Sequence, residues 1–241
     1  MSRDIKDYKS DSKAIHAQRT FTHHSAVVND VDFHRQLEWM VATVSDDLSL
    51  QILDLRQPGN DKAARKTENA HTDAINSVAF NPGSEYILAT GSADKSIGLW
   101  DLRNLAVKLH SCEAHKDVVT QVDWHPTEKA ILASSSYDRR LCFWDLSKTG
   151  NEQTPEDAED GPPELYVDMK FPRSLAHTLT TSRSLFMHGG HTSRISDFSF
   201  NQNDPWLMCS ADEVNLLQIW KTTDSIIGTG KADIPINELE H

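Results

Sequence analysis

The stretch that decides the fold is His71–Asp101, HTDAINSVAFNPGSEYILATGSADKSIGLWD, which recurs as His115–Asp145, HKDVVTQVDWHPTEKAILASSSYDRRLCFWD. Fainter copies begin at His24 and His191. Counting 19 residues on from each histidine gives Thr43, Thr90, Ser134 and Ser210, a hydroxyl every time. Counting 23 gives Asp47, Asp94, Asp138 and Val214; counting 29 gives Leu53, Trp100, Trp144 and Trp220. Agreement in these registers, with no gap inside a unit, marks an internal repeat. By this test the second and third units are complete. The first has Leu53 for the tryptophan and the fourth has Val214 for the aspartate, so those two blades are expected to be less firmly locked.

Within a unit the apolar period is about two, as in Val78-Ala-Phe80, Val122-Asp-Trp124 and Phe198-Ser-Phe200. Turn signals such as Asn81-Pro-Gly83, His125-Pro126 and Ala93-Asp94 separate the runs. Short alternating strands repeating at this spacing predict four-stranded propeller blades, and Trp100-Asp101 and Trp144-Asp145 resemble the WD-repeat dipeptide. The expected fold is all-β, a WD-repeat β-propeller with about four blades present. The reading divides the chain into an irregular segment 1–19, blades over 20–222 and a tail 223–241.

The histidine, hydroxyl, aspartate and tryptophan of each unit admit two readings. A Ser–His–Asp set is the raw material of a hydrolase triad. A catalytic set is not duplicated in every repeat, however, and no Gly-x-Ser-x-Gly elbow is present. The reading preferred is a buried structural relay of His71, Thr90, Asp94 and Trp100 in one unit and His115, Ser134, Asp138 and Trp144 in the next.

Composition narrows the function. The 241 residues carry 24 Lys plus Arg against 36 Asp plus Glu, a net charge of −12 that disfavours nucleic acid as a direct partner and suits a basic protein. No run approaches 18 apolar residues, so no membrane span or membrane partner is expected. Residues 1–10 show no apolar run after their charges and do not read as a secretory signal. Three scattered cysteines, Cys112, Cys142 and Cys209, do not make a disulfide framework and fit a reducing compartment. Neither His23-His24 nor Cys112-x-x-His115 has a second pair at metal-finger spacing, so no metal and no cofactor are expected.

The third unit is followed by two segments of opposite character. Residues 151–165, NEQTPEDAEDGPPEL, hold six carboxylates and no base, half of the net charge. Residues 166–184, YVDMKFPRSLAHTLTTSRS, are basic and hydroxyl-rich, and read as an insertion.

Together with LWDLRNL (99–105), PEDAEDGPPEL (155–165) and HGGHTSRISDFSF (188–200), these stretches resemble the retinoblastoma-binding WD-repeat histone chaperones, over about residues 20 to 222. The resemblance implies a seven-bladed ring, of which this chain holds about the last four blades. It also implies a non-enzymatic scaffold for histones H3 and H4 in chromatin-assembly, acetyltransferase or deacetylase complexes, nuclear and partly cytoplasmic. By motif match, Asp157 and Asp160 would pair with basic side chains of a histone H4 helix, with Met187 on the apolar side of that groove. Glu213 and Asn215 would belong to a second site, for the histone H3 tail. Two departures stand out. The family's N-terminal helix has no equivalent, and 166–184 interrupts the chain before Met187; it is either a retained intron or a lineage-specific loop. At the tail site Asn29, Val118 and Thr120 stand where acidic or aromatic residues are expected, which predicts weaker tail binding.

A reading of a different class stays open. Trp100-Asp-Leu-Arg103 resembles the WDxR box of substrate receptors of cullin–RING ubiquitin ligases, with Leu53-Asp-Leu-Arg56 a half-match. The plainer alternative is that Arg103 sits in the turn after its strand.

Overall fold

The computed structural model describes residues 20–57, 63–149, 187–188 and 190–222. Its described elements are fifteen strands and one short 3-10 turn, Leu146–Lys148, so the all-β reading is borne out. The first sheet holds β1 (Val28–Phe33), β2 (Met40–Ser45), β3 (Leu50–Asp54) and β4 (Arg65–Thr67) in that order. The second repeats the order with β5 (Ile75–Phe80), β6 (Ile87–Ser92), β7 (Ile97–Asp101) and β8 (His110–Cys112). The third runs β9 (Val119–Trp124), β10 (Ile131–Ser136), β11 (Leu141–Asp145) and β12 (Met187–His188). The fourth holds β13 (Ile195–Phe200), β14 (Leu207–Asp212) and β15 (Leu217–Lys221). Every pairing is an antiparallel meander, as expected of strands joined by short turns.

The second strand of each of the first three units is covered on both faces, which explains its small residues, whereas in β14 buried and half-buried residues alternate. Leu88, Ala89, Thr90 and Ser92 are fully buried, as are Leu132 to Ser136. Apolar side chains fill the spaces between consecutive sheets. Leu50 and Ile52 pack with Ile75, Val78 and Phe80; Ile97 and Leu99 with Val119, Val122 and Trp124; Leu141 and Phe143 with Ile195, Phe198 and Phe200. Burying a side chain of this size stabilises the fold by about 1.5–3 kcal/mol, so these boundaries are a main source of its stability.

A polar stitch accompanies the apolar one at each of the three boundaries. Five residues after the repeat histidine, Asn29, Asn76 and Thr120 donate to the Ile75, Val119 and Ile195 carbonyls of the next sheet at 2.9, 2.8 and 3.2 Å. One residue later, Asp30, Ser77 and Gln121 accept the Val78, Val122 and Phe198 amides at 2.9, 3.2 and 2.9 Å. The identities vary while the chemistry holds. Turn capping repeats too: His34, Asn81, His125 and Asn201, each ten residues after the histidine, accept backbone amides of the turn between the first two strands.

Candidate functional site

The relay residues occupy the interior of each sheet. In the second, Trp100 Nε1 donates to Thr90 Oγ1 at 2.8 Å, Thr90 Oγ1 lies 2.8 Å from His71 Nε2, and His71 Nδ1 lies 3.0 Å from Asp94 Oδ2. Because Asp94 accepts, the histidine proton belongs on Nδ1, and Nε2 takes the threonine proton. One direction of donation, indole to hydroxyl to imidazole to carboxylate, then satisfies every buried group. In the third sheet Trp144, Ser134, His115 and Asp138 reproduce the spacing at 2.8, 2.7 and 3.0 Å.

Around His71 the electrostatics suit a neutral imidazole against a fixed carboxylate; His115 differs, its burial being outweighed by Cys142 and Asp138, which push it up to about 10. Burial lowers the His71 pKa, more than Asp94 beside it raises it. Asp94 sits well below the usual carboxylate range: burial opposes its charge, but His71, Ser96 and the Thr72 amide all donate to it. The hydroxyl is enclosed and its proton is committed, so the set presents no exposed nucleophile.

The two incomplete units differ from expectation in different ways. In the first, His24 still meets Thr43 at 2.8 Å and Asp47 at 3.0 Å, and only the indole donor is missing; Gln51 Nε2 lies 3.2 Å from His24 Nδ1. In the fourth, the aspartate is not absent. Asp212, two positions ahead of the expected place, lies 3.3 Å from His191 Nδ1, while Ser210 sits 2.6 Å from His191 Nε2 and accepts from Trp220 Nε1 at 3.2 Å. Its other carboxylate oxygen accepts the Val214 and Leu216 amides, which lets an aspartate at the end of β14 replace one in the turn.

The inner strands β1, β5, β9 and β13 line an open cleft that includes Asn29, Asp30, Asp32, Thr120, Asp123 and Asp197. Among the described residues Arg35 is the one cation of its wall. Burial pushes Asp123 up to about 6, against the Trp124 amide and Arg35, with Asp32 and Asp30 adding repulsion. Asp32 is raised as well, again first by burial. A negatively charged cleft favours basic side chains over anions.

The remaining expected positions separate. Glu213 and Asn215 lie exposed on the turn between β14 and β15, where the Glu213 amide donates to the Arg194 carbonyl at 3.1 Å. Asn215 has φ 67°, and Leu48, Lys95 and Arg139 adopt the same left-handed backbone at the matching place in the other units. Asparagine tolerates that conformation, so the turn itself accounts for this residue. Met187 is in β12, paired with Cys142 at the outer edge of the third sheet, away from that turn in the topology. Asp157 and Asp160, with all of 151–165 and 166–184, lie outside the described residues. Arg103 is bound by Asp101 at 2.6 Å and stacked 4.7 Å over Tyr86; Arg56 repeats this with Asp54 and Trp39.

The family model described as WD domain, G-beta repeat matches residues 16–54, 64–101, 106–145 and 182–214. The chain belongs to the WD-repeat family. Among WD-repeat proteins it is 61% identical over 237 residues to histone acetyltransferase type B subunit 2 of Aspergillus oryzae, and 63% identical to the protein of that name from Aspergillus fumigatus. The counterpart of Neurospora crassa is 61% identical. Each alignment takes in 98% of this WD-repeat chain and 50%, 50% and 49% of the respective relatives, so the chain spans about half the length of the curated relatives it matches. The resemblance to the retinoblastoma-binding WD-repeat group is thus borne out through relatives named histone acetyltransferase type B subunit 2.

Sequence reasoning missed Asp212, Gln51 and the acidic cleft of this WD-repeat chain. Asp212 had one available signal, a carboxylate two residues after Ser210 in a unit that otherwise kept its histidine, hydroxyl and tryptophan.

Proposed function

We propose that this chain is a non-catalytic subunit that holds histones H3 and H4 for a chromatin-modifying or chromatin-assembly complex. The observation that carries the reading is the 59–63% identity to relatives named histone acetyltransferase type B subunit 2. Two physical features support it. Every described Ser/Thr–His–Asp set is spent inside a sheet, which leaves chemistry to a separate catalytic subunit. The chain is acidic, as suits a basic partner.

In this reading Asp157 and Asp160 contact the basic side of an amphipathic histone H4 helix, and Met187 its apolar side. Glu213 and Asn215 contribute to a weaker site for the histone H3 tail, and the protein works in the nucleus and in part in the cytoplasm. Fluorescence anisotropy with a labelled peptide of the first histone H4 helix tests this on the 241-residue chain. Saturable binding that weakens about tenfold or more in Asp157→Asn/Asp160→Asn is expected, since charge-paired contacts contribute on the order of 1–3 kcal/mol. Equal binding by the double variant would overturn the assignment. Arg103 is committed to Asp101 and Tyr86, and no observation favours the ligase-receptor reading.

A further inference from the structure

β12 is the shortest described strand. It holds Met187 and His188, against three residues in each of the matching outer strands β4 and β8, and it pairs with Leu141 and Cys142. So short a ladder leaves much of the hold on this strand to side chains. They come from the fourth sheet. His188 Nε2 donates to Gln218 Oε1, and Gln218 Nε2 donates to the Gly190 carbonyl at 2.9 Å, so one amide clasps both residues. The His188 imidazole also lies flat on the Trp220 indole, with ring centroids 4.4 Å apart and planes 8° from parallel. Burial lowers the His188 pKa, more than the Gln218 bond raises it, and His191 adds to the lowering. The ring is therefore neutral, with its proton on Nε2 facing the amide.

The clasp is not part of the repeat. Its two partners stand three residues before the repeat histidine and 27 after it. At those places the other units have Phe21 and Gln51, Glu68 and Gly98, and Cys112 and Cys142, and none of these pairs joins an imidazole to an amide. Gln51 is turned to His24 instead. Glycine at 190 belongs to the same device. A Cβ there would stand 2.7 Å from Gln218 Oε1, whereas the other units carry His23, Ala70 and Ala114 before their histidines. Three units thus build the same kind of sheet without these residues, so the fold does not need them. They occur at the strand that carries Met187.

We propose that His188 and Gln218 are positioning residues: they fix β12 against the fourth sheet and so hold Met187, the other residue of that strand, in place for the apolar side of a basic amphipathic helix. A contact residue held in its bound position adds affinity by sparing the cost of ordering it. The role given to Met187 rests on the histone reading, while the clasp rests on geometry alone. Both hydrogen bonds and the ring stack run from the outer edge of the third sheet to β15. Removing them loosens one strand and leaves the buried contacts of Ile195, Phe198 and Phe200 in place.

Hydrogen–deuterium exchange and fluorescence anisotropy of the full chain test it, with His188→Ala, Gln218→Leu and His188→Gln, the last keeping a donor at the place of Nε2. The first two variants are expected to exchange about tenfold or more faster in the peptide containing Met187 and His188, with β9 to β11 unchanged. They are also expected to bind a labelled peptide of the first histone H4 helix about three- to tenfold more weakly. His188→Gln is expected to recover most of both losses. Unchanged exchange at β12 in the first two variants overturns the clasp. Faster exchange that spreads equally through β9 to β11 overturns it as well, because the two residues would then hold the whole sheet and not one strand. A loosened β12 with the parent's peptide affinity overturns the positioning role. A parent chain that binds no helix peptide overturns the histone reading, and with it the role given to Met187; the exchange result then decides the clasp by itself.

Discussion

Gln121 binds both backbone groups of Phe198 across the boundary between the third and fourth sheets: its Oε1 accepts the Phe198 amide at 2.9 Å and its Nε2 donates to the Phe198 carbonyl at 3.1 Å. Phe198 is 2% exposed, so those groups have no water to fall back on. Gln121→Ala is expected to cost about 1–3 kcal/mol, the penalty for leaving buried backbone groups unpaired. Gln121→Glu keeps the acceptor and loses the donor, and is expected to fall between. Urea unfolding of the three proteins checks the order.

The relay makes a sharper demand on Thr90, whose one oxygen serves both Trp100 and His71. Thr90→Val keeps the shape and removes both bonds, with an expected loss of about 2–3 kcal/mol. Thr90→Ser restores the hydroxyl and is expected to recover most of that loss. Thermal denaturation distinguishes them; a valine variant as stable as the parent would show that the relay carries no stabilisation.

Acid sensitivity follows from buried groups of opposite sign. His125 is fully buried, and burial lowers its pKa to about 4 from an ordinary 6.5. The unfolded chain therefore takes up a proton that the folded one refuses, and stability falls as pH drops from 6.5 towards 4. Asp47, Asp94 and Asp138 are held below the usual carboxylate range, so their contribution is present above about pH 4 and lost on further acidification. Asp123 runs the other way. Its pKa of about 6 makes the folded state less favourable as pH rises from about 4 to 6. Asp123→Asn is expected to add on the order of 1 kcal/mol at pH 7 and nothing at pH 4, read from melting temperature against pH. A gain that is the same at both pH values would contradict the sign.

How much of this was legible in the sequence depends on whether a residue repeats by identity or by chemistry. His71, Thr90, Asp94 and Trp100 recur at fixed offsets because each fills one niche of a buried relay, and such niches accept few residue types. Asp212 escaped because a carboxylate can reach the same imidazole from the end of β14 as from the turn, so the function survived a shift of two positions. The boundary stitch escaped for a different reason. Asn29, Asn76 and Thr120 share only a donor, and Asp30, Ser77 and Gln121 only an acceptor, which no residue-by-residue comparison of repeats would align. The acidic cleft collects aspartates from units far apart in the chain, and only the curvature of the assembled sheets brings them together.

Arg103 separates the two functional classes cheaply. Its side chain is 67% exposed, and its pairing with Asp101 and stacking on Tyr86 are surface interactions. Arg103→Ala is expected to change stability by about 1 kcal/mol or less and to leave histone binding unchanged. Loss of histone binding in this variant, measured by co-purification beside the parent, would place the histone contact on the wrong face.

The proposed role of the chain is to carry histones for another protein's chemistry. Its most direct test is purification of the endogenous protein through a tag at its C-terminus, with mass spectrometry of everything retained. Histones H3 and H4 together with a catalytic acetyltransferase or other chromatin subunit are the result expected. Recovery of the protein with neither histones nor chromatin subunits would contradict the account.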